Sequence, residues 1–537
     1  MKNGINKPLS RRHFLQYGSL SCLNMLFPAC LKKTTVVPHL SISGANHQIG
    51  HRLRNLQFPA PTQEKTIPIL IIGGGISGLS ACRRLRQKGV DDFLLLDIEA
   101  EMGGNSRAAS NAYTAYPLGA HYLPLPNRND TELLRFLEES EIIVGYDTQN
   151  YPIFDEAQLT IAPAERLFIN NKWQEGVIPD YGLSEESQHN IAQFLAYMEV
   201  FKEQKGADGK FLFDIPIKNS SNDPLLRQLD AMTMQQWLKE NGFVANELLQ
   251  YVDYCCRDDY GMGIAYVSAW AGIHYFAARK GDSTPQKDDN VLTWQQGNAY
   301  LVEKLQYYAK GKTQLESIAF RVTKTEKGAK VWVYEAKNDR TTVYTAQKVI
   351  VACPQYVAQR LFDVPLADAN LFHHAPWLVA TLTLRQMPRG VGFPLSWDNV
   401  ILGGKGLGYV NDLHQSLQQH HPKAVITYYH AFEGQAAQER QKVYQNTPEK
   451  WLQMVVDELQ KAHYNIESLI ETAHFHVWGH GMICPVPNFL YGAGQQLHTW
   501  QPTIYFAHSD WSGISIFEEA FHAGIRAVDQ LLDDEKS

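Results

Sequence analysis

The chain has 537 residues, 44% of them hydrophobic and 20% charged, with a formal net charge of −7. That balance is the one expected of a globular protein of two to four domains, long enough to bury a large core and enclose a cofactor. The negative charge is spread along the chain and leaves no basic footprint, so no nucleic-acid partner is expected.

In chain order, residues 1–35 read as a signal rather than as part of the fold. Ser10, Arg11, Arg12, His13, Phe14 and Leu15 resemble the twin-arginine export motif. The weakly apolar stretch 15–29 carries Gly18, Ser19, Ser21 and Asn24, and is too short and too polar to span a membrane stably. Twin-arginine substrates typically cross the membrane folded, which suits a protein that loads its cofactor first. The expected location is the periplasm or elsewhere outside the cytoplasmic membrane, with the twin-arginine export machinery as a partner. Cys30 follows Leu26, Phe27, Pro28 and Ala29, loosely as in a lipoprotein signal. A lipid anchor at Cys30 is therefore the alternative to ordinary cleavage nearby. Residues 36–65, with Pro38, Pro59 and Pro61 and no apolar period, read as a linker. The five further cysteines, Cys82, Cys255, Cys256, Cys353 and Cys484, show no metal-ligand spacing, and few or no disulfides are expected.

Residues 67–72 form a continuous apolar run bounded by glycines, as a buried parallel strand does. A helix over 77–88 and a second buried strand over 93–96 complete a βαβ unit. Residues 130–290 read as mostly helical. Strands follow at 331–334, 343–344, 349–352 and 378–384, then an amphipathic helix at 448–462. A short strand at 504–507 and a helix at 517–532 close the chain.

Gly73, Gly74, Gly75, Ile76, Ser77 and Gly78 make a G-x-G-x-x-G fingerprint between the first strand and its helix. Gly73 permits the tight turn, Gly75 lets the backbone approach a pyrophosphate, and Gly78 lets helix and strand pack closely. Ser77 lies in the opening turn, whose free N–H groups and dipole favour phosphate. Asp97, ending the second strand, is placed to accept hydrogen bonds from ribose hydroxyls.

After Asp97 come Gly103, Gly104 and Asn105, spaced as in the flavin-containing amine oxidase and phytoene desaturase superfamily. Asn105 stands where that superfamily usually has Arg, and Arg107 is the candidate to supply the charge. Gly119, Ala120 and His121 resemble the family segment that passes the isoalloxazine ring; the bland reading of His121 is a buried structural histidine. Val322 resembles the residue whose backbone reads the adenine, and 348–354 resembles the superfamily's characteristic strand. Asp510, with Gly513, Ile514 and Ile516 opening the last helix, resembles the segment that contacts the ribityl–phosphate region and the flavin N1/O2 edge. There the helix dipole stabilises a reduced flavin.

The resemblance implies an α/β fold with a Rossmann-type FAD-binding domain and a discontinuous α+β substrate domain. FAD binding falls to 66–150, 290–375 and 470–537, and the substrate domain to 151–289 and 376–469. It implies an FAD-dependent oxidoreductase, amine-oxidase-like, passing hydride from a small or medium amine or similar C–H donor to flavin N5. The alternatives are a polyene or porphyrinogen-type desaturase or dehydrogenase, and a redox-neutral flavin-binding protein. The strand at 377–382 has no lysine where amine oxidases of this superfamily commonly keep one near N5. No side chain is assigned a catalytic role. His474, His476, His480 and Cys484 fit no standard metal site, and no metal is expected. Cys484 is either a flavin attachment point or a buried thiol. Trp478, Tyr491, Trp500 and Trp511 are candidates for a substrate-flanking aromatic pair. The polar string 257–261 either lines the substrate entrance or forms an ion-pair network at a helix end.

Overall fold

The computed structural model describes residues 38–284, 290–364, 366, 368–418, 420–491 and 502–534. The export motif, Cys30 and Trp500 lie outside the described residues. From His39 onward the chain is one compact unit.

Two sheets organise it. Their strands are β1 (His39–Gly44), β2 (Pro61–Ile72), β3 (Phe93–Leu96), β4 (Glu165–Ile169), β5 (Lys172–Glu175), β6 (Thr313–Gln314), β7 (Ser317–Thr325) and β8 (Gly328–Glu335). They continue with β9 (Arg340–Val351), β10 (His373–Leu384), β11 (Asp398–Ile401), β12 (Tyr409–Asn411), β13 (Ala424–Ala431), β14 (Ile470–Cys484) and β15 (Ile504–Phe506). The helices that matter for the site are α1 (Ile76–Gln87), α2 (Asn246–Tyr260), α3 (Ala269–Ala277), α4 (Pro448–Leu459) and α5 (Phe517–Asp533).

The first sheet runs β6–β3–β2–β9–β8–β7, with β15 beside β9. Its β6, β3, β2, β9 and β15 pairings are parallel, and β9–β8–β7 is an antiparallel meander. Strands covered on both faces need unbroken apolar runs, and the buried ends of β2 and β3 have them. On one face α1 and α5 pack together, with Leu79, Leu85, Phe521 and Val528 in a common core. On the other face Leu70 and Ile72 meet Val331 and Val333. The segments expected as two strands at 343–344 and 349–352 are one strand, β9. Its first half is flanked by β2 and β8 and its second by β2 and β15.

The second sheet runs β1–β14–β10–β13–β12–β11–β4–β5. Helices α2 and α3 share the core on one face with Trp377, Val379 and Tyr429. On the other face α4 inserts Trp451, Val455 and Leu459 against Leu378, Leu382 and Phe475.

Three expectations are corrected here. Within the stretch expected as a linker, the described residues 38–65 are structured: the edge strand β1 pairs in parallel with β14, and β2 already begins at Pro61. Residues 470–484 belong by register to the second sheet, because β14 pairs with β10 and β1. The stretch 130–290, expected to be mostly helical, is so only from Glu185 onward; 143–175 holds strands, with β4 and β5 forming a hairpin through Asn170 and Asn171, both at positive φ (48° and 60°). The five described cysteines are buried and unpaired.

Candidate active site

At the end of β2 the chain must turn sharply into α1. Gly73 takes φ 113°, and a Cβ there would lie 2.6 Å from the Ala352 carbonyl oxygen. A Cβ on Gly78 would run into the Gly73 carbonyl oxygen, so helix and strand touch backbone to backbone. Gly75, the N-cap of α1, supplies no side-chain cap, and a Cβ there would meet only the Gly104 Cα, at 3.9 Å. The first-turn amides of α1, with buried Ser77 among them, are therefore left for an external acceptor.

These amides edge an outer cavity of about 360 Å³. Asp97 lines it and accepts hydrogen bonds from the Gly74 N–H (2.6 Å) and the Glu99 N–H (2.8 Å). Burial raises its carboxyl to about 6, against the pull of those two amides. Each oxygen keeps a second lone pair for a hydroxyl donor. Gly103 and Gly104, both at positive φ, bring the next segment against the first: the Gly103 N–H donates to the Gly74 carbonyl at 2.8 Å.

Asn105 braces this wall. Its side-chain amide donates to the Gly481 carbonyl (2.6 Å), and its own carbonyl accepts the Ala120 N–H (3.0 Å). Gly119 is required beside it, because a Cβ would strike that same carbonyl. Arg107 lines the cavity, paired with Glu99 at 3.0 Å and lying over the Trp478 ring at 5.3 Å. Its Nη2 is buried without a partner. At the opposite wall Asp510 accepts from the Gln355 N–H (2.7 Å) and from His374 Nε2 (3.0 Å). Although burial opposes it, His374 and His508 hold the Asp510 carboxyl well below the usual range.

Three expected site residues lie elsewhere. Val322 does not reach the cavity: a bulge between Ala319 and Arg321 shifts β7, and the Val322 N–H donates to the Leu361 carbonyl at 2.7 Å. Ser317, Ile318 and Ala319 line the cavity instead. Gly513 (φ 72°) packs under Phe489, and Ile514 is wholly buried in the core. The helix α5 starts later than Trp511, so Ser515, Ile516 and Phe517 are the residues at the cavity.

Asn105, Ala120, Trp478, Gly481 and Ile516 are shared with an inner cavity of about 130 Å³. The uncapped N-terminus of α5 stands at this junction. Strand register builds the inner walls: Trp377 is opposite Trp478, and Val379 is opposite Tyr429. His121 stacks on Tyr429 with centroids 4.6 Å apart, and burial lowers its imidazole to about 4, so it is neutral at pH 7. The Tyr429 hydroxyl and the Trp377 Nε1 are buried without partners.

The polar string at 257–261 divides between the two readings. Arg257 caps the Lys405 carbonyl (2.8 Å) and pairs with Asp253 (2.9 Å). Asp258 and Asp259 instead line the inner cavity with Arg279 and Glu518. Arg279 stands 3.5 Å from Asp259 and 3.8 Å from Glu518. Among the described residues, the hydrogen-bond partner of Asp258 is the Tyr122 hydroxyl, which donates to it at 3.4 Å. Burial pushes the Asp258 carboxyl up to about 7, with Asp259 adding to the shift.

Of the other candidates, Trp478 lines both cavities, whereas Tyr491 and Trp511 line neither. His474 and His476 bond Ser41 and Ser43 of β1 at 2.7–2.9 Å. His480 lines the outer cavity and stacks on Tyr356 at 3.9 Å. Cys484 is fully buried and lines neither cavity, with its thiol pushed up by burial.

A model of the NAD(P)-binding Rossmann-like domain matches residues 71–140. A flavin-containing amine oxidase of Oncorhynchus mykiss is 28% identical over 123 residues, 21% of this chain and 23% of that protein. A Baeyer-Villiger monooxygenase of Pseudomonas aeruginosa is 34% identical over 88 residues, 16% of this chain and 17% of that protein. The matched segments span about a fifth of each relative. Among solved structures, a double mutant of putrescine oxidase is similar with a TM-score of 0.64 at 14% identity, over 88% of this chain and 100% of that one. Cyclohexylamine oxidase from Brevibacterium oxydans gives 0.63 at 16% identity, over 88% and 100%. A fatty acid isomerase from P. acnes gives 0.61 at 15% identity, over 86% and 98%.

Proposed function

We propose that this chain, which has the fold of the flavin-containing amine oxidases, is an FAD-dependent oxidoreductase that oxidises a small amine. The observation that carries the reading is the pair of joined cavities. The outer one offers free helix amides, an acid for a ribose and an orphaned Arg107 donor. The inner one is walled by aromatic rings, with one carboxylate, Asp258, that forms no direct ion pair among the described residues, although the Arg279 charge acts on it.

Bound FAD would supply the acceptor for a hydride leaving the carbon beside the amine nitrogen. Everything else falls to the chain. Gly73, Gly75, Ser77 and Arg107 hold the pyrophosphate, and Asp97 holds the ribose. Gly119, Ala120 and Ile516 pass the flavin, and the α5 N-terminus favours negative charge at the junction. Trp377, Trp478 and Tyr429 exclude water and orient the substrate. An amine enters as its ammonium form, and its nitrogen lone pair is free only after a proton is lost; Asp258 is the group placed to take that proton. The missing lysine at 377–382 removes one feature of classical amine oxidases, since Trp377 and Val379 face the inner cavity there. Buried carboxylates around that cavity favour an amine over an apolar polyene.

An absorbance spectrum before and after acid precipitation is the direct test. Bands near roughly 370 and 450 nm, released into the supernatant as FAD, are expected, followed by bleaching with members of an amine panel. Absence of flavin even after reconstitution sinks the reading. Hydrogen peroxide release marks an oxidase, and quinone dependence without peroxide marks a dehydrogenase. Arg107→Ala is expected to weaken FAD binding roughly 10- to 100-fold, the value of a hydrogen bond to a charged group, read by fluorescence titration.

We also propose export through the twin-arginine route, supported by residues 10–15, with a lipid anchor at Cys30 as the variant reading. No helix among the described residues is long and apolar enough to cross a membrane. A fusion of residues 1–40 to a reporter active only outside the cytoplasm tests the route, and Arg11→Lys with Arg12→Lys should abolish the signal.

A further inference from the structure

The far wall of the outer cavity comes from chain ahead of the fingerprint. After β1, the Asn46 N–H donates to Glu99 Oε1 at 2.8 Å, and the chain then lines the cavity with Gly50, His51, Leu53 and Arg54. This segment is fastened from outside. Arg52 donates to the Gln57 carbonyl at 3.0 Å and lies over the rings of Phe58 (4.7 Å) and Tyr334 (4.3 Å). Leu53 is 5% exposed and clusters with Ile318, Ile98 and Val357.

That cluster is an apolar slot next to Asp97, the ribose-binding candidate. Beside the slot stand Arg54 and Arg360, both exposed, both lining the cavity, and neither in an ion pair among the described residues. Both act on the same neighbour, His51, whose imidazole is lowered by burial and by these cations. An apolar slot, a carboxylate and unneutralised guanidinium groups in sequence are the complement of a base, a ribose and a diphosphate. None of Leu53, Arg54 and Arg360 belongs to the fingerprint.

We infer that residues 45–54 are part of the dinucleotide site: Leu53 closes the slot on the adenine, and Arg54 with Arg360 supplies positive charge for the diphosphate. The inference rests on the FAD reading for the flavin half only. Because the segment lines the cavity, bound cofactor contacts it and fastens it.

The test uses the full chain stripped of cofactor, titrated with FAD by fluorescence and with ADP by calorimetry. Leu53→Ala, and the double variant Arg54→Ala with Arg360→Ala, should each raise the dissociation constant of both probes about tenfold or more. The arginine variant should also flatten the salt dependence. Trypsin should cut the stripped protein within 45–54, and FAD or ADP should protect it. The two arginines are exposed, so their variant folds even where Leu53→Ala does not. Unchanged affinity for both probes in that variant, with wild type binding FAD, overturns the inference alone. Wild type binding ADP but not FAD, with the same losses in the variants, overturns the flavin reading alone. Wild type binding neither overturns both.

Discussion

Replacing Asp258 with asparagine is expected to slow bleaching of the flavin by an amine roughly 10²- to 10⁴-fold, the usual worth of a positioned proton acceptor, without releasing the flavin. Arg279 pairs with Asp259 and Glu518 and acts on Asp258 without a direct ion pair, which leaves Asp258 as the lining carboxylate whose hydrogen-bond partner among the described residues is the Tyr122 hydroxyl. At about 7, its carboxyl is poised to accept a proton near neutral pH. Reduction by the wild type should therefore fall as pH drops through about 7, as Asp258 protonates and can no longer accept; the variant should lack that limb. Stopped-flow reduction across the range decides it: a variant that keeps both rate and limb makes Asp258 a structural residue only. Stability should move the other way. A carboxyl raised by burial holds its proton in the folded state, so its contribution is present at low pH and lost as pH rises through about 7. Asp258→Asn should thus melt a few degrees above wild type near about pH 8, with the gain vanishing toward acid pH.

The cofactor side of this molecule was legible because its parts are local. The strand, the three glycines and Asp97 lie within one βαβ unit, and Gly73 and Gly78 each answer a backbone contact that the motif itself predicts, while Gly75 stays open toward the cavity. Reading failed wherever one displaced residue decided the outcome. Val322 is placed at the adenine by resemblance, but the bulge at Ala319 and Arg321 turns the following residues away. Gly513 and Ile514 are placed at the flavin edge by resemblance, yet a short turn at Ser509–Trp511 and the left-handed Gly513 carry the chain through the core before α5 begins. The edge strand β1 shows no apolar period, since it is held by backbone pairing and by Ser41 and Ser43 against histidines. The β4–β5 hairpin did carry a signal: Asn170 and Asn171 between apolar residues suit a turn that needs positive φ at both centres. The inner cavity carries a partial signal, since Trp478 and the polar string 257–261 stand out in the sequence while Trp377 and Tyr429 do not. Trp377, Tyr429 and Trp478 come from three strands, and only long-range register brings them to one place.

A single methyl at position 78 is expected to empty the flavin site. In Gly78→Ala the new Cβ would collide with the Gly73 carbonyl oxygen, with the Ala352 Cβ behind it at 3.6 Å. Gly73 cannot yield, because its N–H is bonded to the Leu96 carbonyl at 2.9 Å and its φ of 113° already crowds Ala352. Nor can α1 retreat. On its far side Gly524 of α5 packs so closely that even a Cβ there would strike the Ser77 carbonyl, and Ser80 Oγ donates to the Phe521 carbonyl at 2.6 Å. Overpacking of this kind costs about 1–3 kcal/mol where backbone can shift, and more where it cannot. Any shift of α1 also displaces the first-turn amides that hold the pyrophosphate, so binding suffers beyond stability. FAD content per chain should fall to near zero, and added FAD should no longer raise the melting temperature, since only a ligand that binds the folded state does so. Gly145→Ala is the control: a Cβ there meets nothing within 4 Å, and it should behave as wild type. A Gly78→Ala protein with stoichiometric FAD and unchanged melting would mean that helix and strand have slack the backbone contacts do not show, and the close-packing account of the fingerprint would fail with it.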